Sequence, residues 1–158
     1  MSTRSRIAVM QPDGEIGSIY CHFDGYCNHV GRMLKNHHNT EEKVNQLVSL
    51  GNISSLHEYL IPITDEALAY FRSEGVHAKV PEKEHSFDTP QQGVTVAYYR
   101  DRHENFVQNV YKTLDDYNIN AHFESYNYLW KLGRWYIRRK SNWVELTEEM
   151  IIDGIEEE

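Results

Sequence analysis

The sequence predicts an α+β domain with a mainly antiparallel sheet, built from N-terminal and C-terminal hairpins, with three to four helices packed on one face. Alternating apolar and polar residues joined by tight turns occur near both ends of the chain. Between them, apolar residues recur at helical spacing after residues that can cap a helix. Strands at both ends and helices between them are typical of this class.

The N-terminal hairpin is predicted from residues 6–10 and 16–23, which flank a Pro-Asp-Gly turn. Alternation in the second strand places Ile19, Cys21 and Phe23 on one face. Tyr20 and His22 then share the other face.

Other strands are predicted from β-branched and aromatic alternation, and a Leu-Gly turn joins two of them as a C-terminal hairpin. These strands are residues 94–100, 126–130, 134–138 and 143–146.

Helices are predicted where apolar stripes follow capping residues, and Asp24, Thr40 and Thr64 are the expected N-caps. The helices are residues 25–36, 41–50, 65–74 and 105–117, with a short one after Thr147.

A chain of 158 residues fits a single domain, 1–158, which buries roughly 70% of the surface that the unfolded chain exposes. Residues 76–93 read as a long loop and residues 153–158 as an acidic tail. Two cysteines without a signal peptide favour a reduced, cytoplasmic protein, and no apolar run is long enough to span a membrane. The formal charge of −8 argues against broad nucleic-acid binding.

A metal or thiol site is one reading of Cys21, His22, Cys27 and His29. Adjacent strand residues point to opposite faces, so Cys21 and His22 do not readily reach one ion. Asp24 disfavours a thiolate at Cys27. We therefore expect no metal and no cofactor.

An acid/base pair of His22 and Asp24 is a second reading, because residues two apart on a strand share a face. Its alternative is that Asp24 only caps a helix and Gly25 only turns the chain. No catalytic residue is assigned.

Ligand binding without chemistry is the reading with the most support. Arg4 and Arg6 alternate along the first strand and can grip a phosphate, while tyrosines stack on a base. Amides at the start of the Tyr26 helix would add donors. Against this, the two arginines can be the solvated ends of an edge strand. The predicted ligand-binding residues are Arg4, Arg6, Tyr20, His22, Asp24, Gly25, Tyr26, Tyr98 and Tyr126.

Several blocks of the chain resemble a family of small, mostly uncharacterised proteins encoded by tailed bacteriophages. The blocks are residues 1–7, Tyr20-Cys21-His22-Phe23-Asp24-Gly25-Tyr26, residues 50–56 and Tyr126-Asn127-Tyr128-Leu129-Trp130-Lys131. The chain departs from the family around Cys27 and His29.

The resemblance implies a counter-defence protein in the host cytoplasm. It suits sequestration of a small nucleotide-derived immune signal, by an oligomer. The alternatives are direct inhibition of a host defence protein, with the acidic surface imitating nucleic acid, and hydrolysis of a nucleotide signal through His22 and Asp24.

Overall fold

An eight-stranded mixed sheet forms the centre of the protein, as seen in a computed structural model that describes residues 3–62, 64–78, 92–102 and 104–153. The strands are β1 (Ser5–Met10), β2 (Ile16–Cys21), β3 (Ile53–Ser55), β4 (Val96–Ala97), β5 (Asn109–Tyr111), β6 (Tyr126–Lys131), β7 (Arg134–Arg139) and β8 (Asn142–Glu145). A π-helical turn, Cys27–Gly31, leads into α1 (Arg32–His37), and the other helices are α2 (Glu41–Val48), α3 (Asp65–Glu74), α4 (Tyr98–Arg102), α5 (Leu114–Asn120) and α6 (Glu148–Asp153).

Strand β1 lies in the middle of the sheet and joins the two predicted hairpins. It pairs with β2 in antiparallel and with β6 in parallel orientation, and the strand order is β4-β3-β2-β1-β6-β7-β8. The outer edge of β2 is shared, because its first half pairs with β5 and Cys21 pairs with β3. The mainly antiparallel α+β fold is confirmed.

The two faces of the sheet are covered differently. On the first face, Ile7, Ile19 and Tyr128 pack under the π-helical turn, α1, α2 and α6 in the main hydrophobic core. On the second face, Ala8, Ile16 and Leu129 form a smaller core with Tyr117 of α5. The part of the second face outside that smaller core carries the polar side chains discussed below.

Local capping works as predicted at two helices. The Oγ1 of Thr40 accepts from the amide of Lys43 at 3.2 Å, and the Oγ1 of Thr64 accepts from the amide of Ala67 at 3.1 Å. Gly75 closes α3 with a φ of 93°, a value that favours glycine. The predicted C-terminal hairpin is also present, as β6 and β7.

The strand predicted over residues 94–100 is wrong beyond Ala97, where the chain turns into α4. The amide of Ala97 donates to Oδ2 of Asp101 at 2.8 Å, which closes a helical turn. Arg100 is fully buried. Tertiary contacts of these two side chains therefore override the strand propensity of the segment.

The helix predicted over residues 105–117 is wrong before Leu114. Part of it is β5, which pairs with β2, and α5 starts only after Thr113, whose Oγ1 accepts from the amide of Asp116. The predicted apolar stripe is largely exposed at Phe106 and Val110. The short strand β3 was not predicted at all.

Some predictions fall outside the described residues, namely most of the long loop (residues 79–91) and the last five residues of the acidic tail. Within the described ranges, none of the helices has the length and apolar character needed to cross a membrane.

Candidate functional site

Two of the predicted ligand-binding residues are direct cross-strand partners at the centre of the sheet. Arg6 of β1 lies opposite Tyr20 of β2, so both side chains project from the second face of the sheet. The Tyr20 hydroxyl is 2.7 Å from Nδ1 of His22, which confirms that Tyr20 and His22 share a face.

Arg6 is a buried cation, with 8% of its surface exposed. Its Nε donates to the carbonyl of His122 at 3.1 Å, and one terminal nitrogen donates to Ser18 Oγ at 2.8 Å and to Asn109 Oδ1 at 3.2 Å. All three acceptors are neutral. Within the part of the chain that the structure describes, no carboxylate forms a salt bridge with this guanidinium.

Arg4 and Tyr98 complete this group. Partial burial raises the pKa of Tyr20, while the positive charge of Arg4 opposes the shift and the carboxylate of Glu124 adds to it. The Tyr98 phenol also interacts electrostatically with Tyr20, and burial raises its own pKa. We call the set Arg4, Arg6, Tyr20, His22 and Tyr98 the cationic-aromatic face.

Arg4 differs from Arg6 in being exposed. Its guanidinium makes no hydrogen bond or ion pair with any residue in the described ranges. The face therefore combines one anchored and one free guanidinium with phenol and imidazole rings. This is an arrangement that can hold an anion and a planar group together.

Asp24 is not the helix N-cap predicted from the sequence. The π-helical turn begins after Tyr26, and no side chain caps it. Asp24 adopts a left-handed φ of 57° after β2 has ended, and its exposed carboxylate bonds to none of the described residues. His22 instead uses its Nδ1 for Tyr20, so the geometry does not form the His22–Asp24 pair.

Gly25 is packed tightly between backbone segments and does not face an open ligand site. Its amide donates to the Thr3 carbonyl at 2.8 Å, and its carbonyl accepts from the Tyr128 hydroxyl at 2.7 Å. A Cβ at this position would lie 2.6 Å from Cβ of Ser5. Only glycine fits where the chain leaves β2 and crosses against β1.

Two predicted site tyrosines lie away from the cationic-aromatic face. Tyr126 packs against the main core on the first face of the sheet, on the same side of β6 as the fully buried Tyr128. Tyr26 stands at the start of the π-helical turn, exposed and outside the sheet. Phe23, predicted to face the core with Cys21, is likewise exposed because β2 ends at Cys21.

Both cysteines are buried free thiols. Burial raises the pKa of Cys21 to about 12, which opposes thiolate formation. Across the described ranges, no three His, Cys, Asp or Glu side chains cluster closely enough to hold a metal ion.

Sequence reasoning missed the residues that hold Arg6 in place. Ser18 stands two residues before Tyr20 on β2, so the period-two pattern of that strand predicts the shared face. Asn109 arrives from β5, which was predicted as helix, and no local signal pointed to it.

Comparison with known proteins adds no relative: no family model, curated protein or solved structure matches the chain.

Proposed function

We propose that the protein binds a small phosphorylated, nucleotide-like ligand at the cationic-aromatic face, without chemistry. The observation that carries this proposal is the buried guanidinium of Arg6, which only neutral oxygens contact. Burying an unpaired cation costs several kcal/mol in general, and a phosphate at this face would offset that cost.

Arg4 would supply the second cationic contact, since it lies two residues earlier in the chain and is exposed. Two guanidiniums can share the oxygens of one phosphate or bind the two phosphates of a diphosphate. The rings of Tyr20 and Tyr98 offer surfaces on which a base can stack, a contact that tolerates any base. Together these contacts favour a ligand that carries both a phosphate and a base.

In the phage setting that the sequence resemblance implies, such a ligand would be a nucleotide-derived immune signal of the host. Sequestration needs affinity and stoichiometric amounts of protein but no catalytic group. The absence of a His22–Asp24 hydrogen bond favours holding the signal over hydrolysing it.

Thermal unfolding with cyclic dinucleotides and cyclic ADP-ribose isomers tests the proposal. A ligand that binds only the folded state stabilises it by about 2.7 kcal/mol at a hundredfold excess over Kd, so Tm should rise with ligand concentration. Chromatography after heat release should return the ligand intact. If no compound in the panel changes Tm, the proposal is wrong. If the recovered ligand has been converted to a product, the hydrolase alternative is supported instead.

Arg4→Gln gives a sharp variant because the side chain is exposed and its loss should not disturb folding. A charge-assisted hydrogen bond contributes about 1.5–3 kcal/mol, so ligand affinity should fall roughly tenfold or more. Arg134→Gln is the matched control, since Arg134 starts β7 at the opposite end of the sheet. Equal affinities of the two variants would contradict the assignment.

Direct inhibition of a host protein is the second candidate, favoured by one exposed apolar edge. Phe106, Val107 and Val110 are exposed at and before β5, and among the described strands β5 pairs only with β2. Capture of a stoichiometric host partner, lost in Val110→Lys but kept in Arg4→Gln, would support this candidate over the small ligand.

A further inference from the structure

A cavity of about 380 Å³ lies between the end of α1, helix α2 and the chain segment 58–61. Its walls come from elements that cover the first face of the sheet, so it is separate from the cationic-aromatic face on the second. Cavities of this volume hold small organic molecules.

The lining of the cavity combines apolar side chains with a lysine. Leu60, Ile61 and Val76 line it together with the ring of Tyr59. Lys43 also lines the cavity, and its ammonium has no hydrogen bond or ion pair with the residues described here.

Glu58 is the carboxylate that lines the cavity, and its position limits its effect. A hydrogen bond with Glu58 raises the pKa of Tyr59, so this carboxylate already has a donor in the chain. Lys43 is left as the charge available to a bound molecule.

His38 supplies a fixed acceptor. His38 follows the last residue of α1 and is only 2% exposed. Its Nε2 is 2.9 Å from the carbonyl of His57, which places the proton on Nε2 and leaves the lone pair on Nδ1. Burial lowers the pKa of His38 and keeps the ring neutral.

The backbone of His38 is also anchored. The carbonyl of His38 accepts from the indole N–H of Trp135 at 2.8 Å. Within the described ranges Nδ1 has no partner, so it can accept a hydrogen bond from a ligand.

We infer that this cavity binds a small aromatic molecule with one carboxylate and one N–H or O–H donor. Lys43 holds the carboxylate, the Tyr59 ring and the apolar lining residues receive the aromatic body, and Nδ1 of His38 accepts from the donor. Each of the three contacts uses a group that the fold leaves available.

Three indole compounds of similar size test the charge requirement: indole-3-acetate, indole-3-acetamide and tryptamine. Titration into the ¹⁵N-labelled full chain is followed at the indole N–H signals. Trp135 reports on the cavity through its bond to His38. Trp143, whose indole donates to Asn118 and packs in the second-face core, is the internal control.

Indole-3-acetate should shift the Trp135 signal saturably and leave Trp143 unchanged, the acetamide should bind at least fivefold more weakly, and tryptamine should not bind. Lys43→Gln should weaken indole-3-acetate binding at least fivefold. The matched control is Lys112→Gln, an exposed lysine beyond β5. An unchanged Trp143 signal in Lys43→Gln verifies that the variant is folded.

Three results would overturn the inference: no saturable shift of Trp135, equal binding of tryptamine and indole-3-acetate, or equal affinity of Lys43→Gln and the parent chain. A shift of Trp143 alone would place the compound on the other face of the sheet and would equally reject this cavity.

Discussion

The guanidinium of Arg100 lies 2.9 Å from the carboxylate of its chain neighbour Asp101, and both side chains are fully buried. The same guanidinium donates to the carbonyls of Leu60, Val76 and Thr95. One side chain thus ties together three separate segments around α4.

Arg100→Met should strongly destabilise the protein, because it leaves the buried Asp101 carboxylate without its cation and three carbonyls without their donor. Breaking a buried pair by removing one partner costs about 3–5 kcal/mol. Urea denaturation measures the loss. Arg102→Gln is the control, since its pair with Glu104 is exposed and worth less than about 1 kcal/mol. A similar decrease in the free energy of unfolding in both variants would show that the buried Arg100 contacts contribute no more than the exposed pair.

Gly25→Ala should destabilise the protein by about 1–3 kcal/mol, since the new methyl group overlaps Ser5 where two backbones meet. Gly17→Ala is the matched control. Its added Cβ would lie 3.6 Å from a methyl group of Val48, which is an ordinary contact. Calorimetric Tm values should separate the two variants, and a Gly25→Ala protein as stable as Gly17→Ala would refute the close approach.

Acid should destabilise the protein through His38. Burial lowers its pKa from the ordinary value of 6.5, so the unfolded chain binds a proton more readily than the folded one. The stabilising contribution is therefore complete above pH 6.5 and is lost as the pH falls through the folded-state pKa. The free energy of unfolding should fall by up to about 1.4 kcal/mol per pH unit in that window.

Urea midpoints between pH 7 and pH 5 measure this dependence. His38→Gln should flatten the curve, while His37→Gln should change it only slightly, because the charge of His37 lowers the pKa of His38 less than burial does. If His38→Gln keeps the full slope, another group is responsible.

Cys21 should be inert in the folded protein. Its pKa is raised to about 12 by burial, so the thiolate that reacts with a disulfide reagent is scarce at pH 8. In a Cys27→Ala variant, the remaining thiol should react up to roughly a thousandfold faster in urea than in buffer, because its pKa is 9.0 when unfolded and about 12 when folded. Rapid labelling of the folded chain would show that Cys21 is accessible.

The same shift has a consequence for alkaline stability. The unfolded thiol ionises from its ordinary value of 9.0 and the folded one only near 12, so stability present below pH 9 is lost between these values. A Cys21→Val variant should show a shallower fall in the urea midpoint between pH 9 and pH 11.

Local signals in the sequence were sufficient for the hairpins and the threonine-capped helices. Thr40 and Thr64 act through neighbours three residues away, and the β6–β7 turn uses Leu132 and Gly133 at positive φ. The predictions for residues 94–117 were largely wrong because the structure of this segment depends on residues that are distant in the sequence. The burial of Arg100 and the pairing of β5 with β2 leave no periodic trace in the sequence.

The candidate site was predictable where it follows one strand. Tyr20 and His22 share a face by period two, and so do Arg4 and Arg6. Tyr126 lies on the other face of the sheet. The face that a strand presents to the core depends on its register with β1, which alternation alone does not specify.

The parallel pairing of β1 with β6 also governs the order in which the protein can fold during synthesis. Strand β1 is made before β6, so it receives its second neighbour only when residues 126–131 have been made. Until then the side of β1 that faces away from β2 is unpaired, and its backbone groups can bind other extended chains. Completion of the sheet must therefore wait until β6 has been made, and this is the interval in which a nascent chain would most need a chaperone.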